Sequence, residues 1–102
     1  MDNIEEVVNV INSIVDSKTI YVFGSYARGE QTADSDIDIY IVAKNINGRV
    51  IEKLSEIRAA LINVIDKPAD ILLSTEIIFE ERKNYKSSIE RIVEKEGVIV
   101  YA

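Results

Sequence analysis

The 102-residue chain carries 18 acidic and 12 basic side chains, a net charge of −6, and no histidine, cysteine or tryptophan. Surface scaling gives a folded area of roughly 5,800 Å² against roughly 17,000 Å² unfolded, enough burial for one domain with a core. The missing residue types exclude disulfides, zinc–thiolate centres, thiol nucleophiles and imidazole chemistry, so any catalysis runs on carboxylates, hydroxyls, Lys and Arg. The acidic balance speaks against a nucleic-acid partner, because neutralising phosphates needs a basic stripe and the longest cationic run is Arg82-Lys83. No apolar stretch approaches 18 residues, and the N-terminus from Met1 to Glu6 is acidic where a secretory signal is basic. The expectation is a soluble cytoplasmic protein without a membrane partner.

In chain order, Ile4, Val7, Val8, Ile11, Ile14 and Val15 recur at helical spacing and predict an amphipathic helix over Asp2–Asp16, capped by Asp2 or Asn3. Thr19-Ile-Tyr-Val-Phe23 reads as a strand that Gly24 ends in a turn. Asp36 to Val42 alternates strictly, with Ile37, Ile39 and Ile41 on one face of a second strand, and a turn follows at Asn45–Gly48. The stripe Ile51, Leu54, Ile57, Arg58, Leu61, Ile62 and Ile65 predicts a helix over Arg49–Ile65, with Pro68 closing the region. Ala69 to Ser74 is a third strand, and Glu76 to Lys83 a helix led by Ile77, Ile78 and Phe79. Ser87-Ser-Ile-Glu90 fits a capping box, Gly97 stands at the expected C-cap, and Val98 to Tyr101 forms a short edge strand. No repeat, linker or low-complexity stretch interrupts the chain, and the element order predicts an α/β (α+β) fold, a small mixed sheet flanked by helices, as one domain over residues 1–102.

The chemistry concentrates between Gly24 and Asp38. Gly24 lets backbone approach a ligand closely, Ser25 opens a helical turn with its hydroxyl and free N–H groups, and Arg28 offers a fork of donors for phosphate. An ordinary strand–turn–helix would look the same. Asp36 and Asp38, two apart on a strand, project to one face and repel each other unless a cation lies between them. A hard divalent ion such as Mg²⁺ suits that donor set. Asp70, opening the third strand, completes a three-carboxylate cluster if that strand neighbours the second. Such a cluster can hold two cations for phosphoryl transfer.

Gly24-Ser25, ten residues, then Asp36-Ile37-Asp38, in the fuller form Gly-Ser-Tyr-Ala-Arg-Gly followed by Ser35-Asp-Ile-Asp38, resembles the signature of the DNA-polymerase-β-like nucleotidyltransferase superfamily. The likeness is to its small branch, the minimal nucleotidyltransferases, several of which act as antitoxins paired with HEPN-domain toxins. It extends over nearly the whole chain, through the leading helix, Asp70 and the closing Glu96-Gly97-Val-Ile-Val-Tyr101. By position, the resemblance implies that Gly24 and Ser25 cradle the β- and γ-phosphates of ATP, with Arg28 assisting. It implies that Asp36, Asp38 and Asp70 ligate two Mg²⁺ ions, with Asp70 activating the attacking hydroxyl. The implied activity is AMP transfer to a hydroxyl, with tyrosine the residue suggested by the family, on a HEPN-type toxin. Transfer to a small-molecule hydroxyl and neutralisation by binding alone are the competing functions.

Of the other features, the five tyrosines read mainly as half-buried sheet and helix residues, with Tyr26 set apart by its place in the phosphate turn. Arg82, Lys83 and Lys86 form the one cluster of cations, at a solvated helix end. The stripes Ile4–Val15 and Ile51–Ile65 are core, with a spare face available for a homo-oligomer contact.

Overall fold

Alternation of Ile37, Ile39 and Ile41 puts β2 (Ile37–Asn45) at the heart of a four-stranded sheet, all three side chains buried. The computed structural model describes residues 3–32 and 35–102. Around β2 the sheet has the order β3-β2-β1-β4, with β1 at Asp16–Phe23, β3 at Ala69–Thr75 and β4 at Val98–Tyr101. β1 runs antiparallel to both β2 and β4, whereas β2 and β3 are parallel. A parallel pair needs a crossover, and α3 (Val50–Leu61) supplies it.

Each face of the sheet has its own core. On one, Ile20, Ile37, Ile39, Ile41 and Ile71 pack against Val7 and Ile11 of α1 (Ile4–Ile14) and against Ile57 and Leu61 of α3. On the other, Phe23, Tyr40 and Val42 meet Phe79 of α4 (Glu76–Arg82) and Val93 of α5 (Ile89–Glu96). Phe79 stacks on Tyr21 at 5.7 Å and meets the Tyr40 ring edge-on at 5.3 Å. The exposed area of 6135 Å² agrees with the scaling expectation. Among the described residues no helix is long and apolar enough to cross a membrane.

The element types follow the sequence, but several ends move for tertiary reasons. Asp2 lies outside the described residues; Asn3 holds the N-cap position of α1 yet makes no cap bond, its amide donating to the Val64 carbonyl instead. Val15 is already extended, so β1 begins at Asp16 rather than Thr19. α3 starts at Val50 and stops at Leu61, four residues short of Ile65, as Val64 and Ile65 N–H groups both fold back on the Leu61 carbonyl ahead of Pro68. Asp36 precedes β2 instead of opening it. The apolar stripe is also wider than the contact it makes: Ile51 and Ile62 are 62% and 74% exposed, and Ile77 of α4 is 80% exposed.

The capping box at Ser87 is replaced by a cap one residue later. Ser88 accepts from the Arg91 N–H, and Glu90 turns inward. Its Oε2 accepts from the Tyr40 hydroxyl at 2.7 Å, its Oε1 from Arg82 Nε at 3.0 Å, and Tyr40 also shares a hydrogen bond with Ser74 at 2.8 Å. Gly97 does follow α5, but with an extended backbone (φ −70°, ψ 148°) rather than a left-handed one. It is glycine there for room, because a Cβ would press on the Val93 carbonyl and the Tyr21 ring.

Burial alone would raise the Glu90 carboxyl, but hydrogen bonds from Tyr40, its own N–H and Arg82 outweigh it and hold the group below its usual value near 4.5. A depressed carboxyl contributes stability above its unfolded pKa, and that contribution drains as pH falls through the folded one. The Glu90→Gln protein is therefore expected to melt lower than wild type at pH 7, with the gap closing below pH of about 4. Melting curves of both proteins across that range check the sign. Burial drives the Tyr40 hydroxyl the other way, far above the tyrosine range, so it stays a donor throughout.

Candidate active site

The turn after β1 is built on two glycines with positive φ. Gly24 (φ 73°) leaves the strand and Gly29 (φ 71°) closes the four-residue helix α2 (Ser25–Arg28). Arg28 N–H bonds the Gly24 carbonyl at 3.2 Å and Glu30 N–H bonds the Ser25 carbonyl at 2.9 Å, which fixes the turn. Phe23 pairs with Asp38, so Gly24 stands next to that carboxylate across the strand pair. A Cβ built on Gly24 would run into Asp38 Oδ2, so the space beside the carboxylate exists because the residue is glycine.

Asp38 and Asp70 are directly opposed in the β2–β3 register, which is the neighbouring of strands that the three-carboxylate expectation required. Asp38 is half-buried and Asp70 exposed. Burial pushes the Asp38 carboxyl above its usual value, and repulsion from Asp70, repulsion from Asp36 and a hydrogen bond with Asp70 push the same way, with Arg28 opposing. Asp36 thus bears on Asp38 by its charge, from an exposed position ahead of β2. Among the described residues no three Asp or Glu side chains are drawn close enough together to hold an ion. The donors are nonetheless all carboxylate oxygens and the glycine leaves space at Asp38, which fits a hard divalent cation.

The remaining site residues are less converged. Arg28 lies exposed on α2 with Nε donating to Glu30 at 2.6 Å, so a phosphate would have to compete with that carboxylate. Tyr26 accepts from Lys67 Nζ at 2.7 Å and lines a cavity of about 210 Å³ with Ile4, Val22 and Val98. Sequence reasoning missed the Tyr40–Ser74–Glu90–Arg82 network. The available signal was an acidic residue on the helical face of Val93 and Gly97, the buried phase of α5, where a carboxylate needs partners.

Residues 4–100 match the family described as "Nucleotidyltransferase domain". A Methanocaldococcus jannaschii protein named "Putative protein adenylyltransferase MJ0604" is 35% identical over 100 residues, covering 96% of this chain and 94% of that protein. A structure from Sulfolobus solfataricus, titled a "putative nucleotidyltransferase", superposes with a TM-score of 0.64 at 25% identity, covering 96% and 76% of the two chains. A toxin–antitoxin structure with AMP-PNP reaches a TM-score of 0.71 over 100% of this chain and 74% of that one, at 19% identity, a likeness of fold alone. With the Gly-Ser turn against Asp38 and Asp38 opposite Asp70, on a chain matched almost end to end, this protein belongs to the nucleotidyltransferase domain family.

Proposed function

We propose that the protein transfers AMP from ATP to a hydroxyl of a partner protein, a tyrosine of a HEPN-type toxin, and so acts as its antitoxin in the cytoplasm. The reading treats residues 1–102 as a single minimal nucleotidyltransferase domain whose acceptor side is completed by that partner. The observation that carries it is the opposition of Asp38 and Asp70 beside the Cβ-free space at Gly24. The 35% identity to a protein named as a protein adenylyltransferase supports a protein acceptor, and the fold shared with a toxin–antitoxin chain supports the antitoxin role.

In this reading Asp36, Asp38 and Asp70 would hold two Mg²⁺ ions, which would supply Lewis acidity and offset the charge of the triphosphate. Gly24 admits the phosphates to the backbone, and Ser25 donates its hydroxyl and N–H to the β- and γ-phosphates, with Arg28 adding charge at the rim. Asp70, the exposed member of the pair, accepts the proton of the attacking hydroxyl as its oxygen bonds the α-phosphorus, the α–β anhydride bond breaks and pyrophosphate leaves. Catalysis is then mainly positioning and electrostatics.

The test is transfer of α-labelled AMP, with ATP and Mg²⁺, into an extract of the organism that encodes the protein, against an Asp36→Asn/Asp38→Asn control. A labelled protein band lost in the control is expected. Acceptor-dependent pyrophosphate release without a labelled protein would move the function to a small-molecule hydroxyl. Neither signal, with toxin neutralisation kept by the control variant, would make it a binding antitoxin.

A further inference from the structure

The site is assembled from distant parts of the chain, and one contact ties those parts together. Ser25 stands on α2, a single four-residue turn whose side chains are half-buried or exposed. A lone turn does not hold itself, because nucleating a helix is unfavourable and tertiary packing supplies most of its stability. Here Tyr26 packs against the core between the sheet and helices α1 and α3, and its hydroxyl accepts from Lys67 Nζ at 2.7 Å, forty-one residues away. The ammonium is 5.4 Å from the ring centre, which puts it at the hydroxyl end of the ring and not over its face. The hydroxyl therefore carries the contact.

Lys67 lies three residues before Asp70, with Pro68 next to it. Proline fixes its own φ, and the Pro68 carbonyl accepts the Ile37 N–H at 3.0 Å, one residue ahead of Asp38. Asp38 in turn reaches into the space at Gly24. The links form a closed ring, from Gly24 through Tyr26, Lys67 and Pro68 to Ile37 and Asp38, and back to Gly24. Within that ring the Tyr26–Lys67 bond is the link that substitutions outside the proposed ligand-binding residues can open. Both residues lie behind the carboxylates. Tyr26 shares a cavity with Val22, which alternates along β1 with Phe23, the register partner of Asp38. Lys67 shares one with Ile71, which alternates along β3 with Asp70. The pair thus supports the site from the opposite face of the sheet. The Arg28–Glu30 contact, by comparison, joins exposed residues two apart and fixes nothing about the carboxylates.

We propose that Tyr26 and Lys67 are positioning residues, whose hydrogen bond holds the Gly24–Ser25 turn in register with Asp38 and Asp70 so that one metal-bound triphosphate reaches both. This rests on the nucleotidyltransferase reading, and adds to it two residues that touch no substrate.

Calorimetric titration of the whole chain with a non-hydrolysable ATP analogue and Mg²⁺ tests it. Tyr26→Phe, which keeps the ring and loses the acceptor, should weaken the analogue about fivefold, within the worth of one hydrogen bond. In a Lys67→Met background the same change should add nothing, because the bond is already gone. Lys67→Arg, which keeps a donor and a charge, should bind the analogue more tightly than Lys67→Met. Melting curves of each variant without ligand separate folding loss from misplacement of the turn. If Tyr26→Phe binds the analogue as wild type does, whatever its melting temperature, the contact is structural at most and the proposal is overturned while the functional reading stands. If Tyr26→Phe weakens binding as much in the Lys67→Met background as alone, the hydroxyl acts by another route and the proposal is again overturned. If wild type itself binds no analogue, the functional reading falls and the proposal with it.

Discussion

Replacing Asp38 by Asn is expected to cut nucleotidyl transfer by about 10³-fold or more while raising the melting temperature of the metal-free protein. The first effect follows from removing an oxygen donor at the centre of a site that works by electrostatics, where even a single lost donor costs about 10² to 10³-fold. The second follows from linkage. Burial and the charges of Asp70 and Asp36 raise the Asp38 carboxyl in the folded state, so holding it ionised costs stability at neutral pH. That cost is relieved as pH falls through the raised value, and Asn removes it at every pH. The stabilisation should therefore be largest at pH 7 and vanish in acid, opposite in sign to Glu90→Gln. Activity and melting measured on the same preparations check both halves. A variant that loses activity by unfolding would refute the claim that Asp38 serves the site at the expense of the fold.

Gly24→Ala should be the most damaging substitution of a single methyl group in the turn. The residue holds φ 73° with ψ −147°, a region essentially confined to glycine where an L side chain costs about 1–3 kcal/mol, and the new Cβ would run into Asp38 Oδ2. With overpacking added, a loss of about 3 kcal/mol is expected, together with near-complete loss of transfer because the carboxylate is displaced. Gly29→Ala is the control. Its φ is similar at 71°, but its ψ of 22° puts it in the milder left-handed helical region and no atom lies within 4 Å of an added Cβ, so it should lose only about 1 kcal/mol and keep most activity. Urea unfolding and AMP-transfer rates of the two variants compare a position against the carboxylate with one that is clear of it. Equal loss of activity in both would mean the turn's conformation matters and its contact with Asp38 does not.

The sheet and the candidate site's motif were legible because their signals are local. Ile37, Ile39 and Ile41 alternate within five residues, and Gly24-Ser25 and Asp36-Ile-Asp38 fall at a recognisable spacing. The meeting of Asp70 with Asp38 was legible only as a condition, that the Ala69–Ser74 strand neighbours the second, and the parallel β2–β3 pairing supplies it. What stayed hidden is what distant partners decide. Asn3 carries a capping side chain but spends it on Val64, sixty-one residues away, and nothing near Asn3 announces that. Ser87 and Glu90 have the spacing of a capping box, yet a buried tyrosine hydroxyl fifty residues earlier claims the glutamate and the cap moves to Ser88. Ile51 and Ile62 belong to the apolar stripe expected over Arg49–Ile65, but α3 ends at Leu61 and meets the sheet over a narrower arc through Ile57 and Leu61, leaving both exposed. In each case a local preference worth about 1 kcal/mol yields to a tertiary contact.

The measurement that bears most directly on the account is the melting temperature of wild type and of Asp70→Asn with a non-hydrolysable ATP analogue and Mg²⁺, added singly and together. A ligand that binds only the folded state raises the melting point by mass action. If Asp38 and Asp70 form one cation-dependent nucleotide site, wild type should shift substantially only when metal and nucleotide are both present, and Asp70→Asn should lose most of that shift. An unchanged wild-type melting curve at saturating nucleotide and metal, or an equal shift in Asp70→Asn, would contradict it.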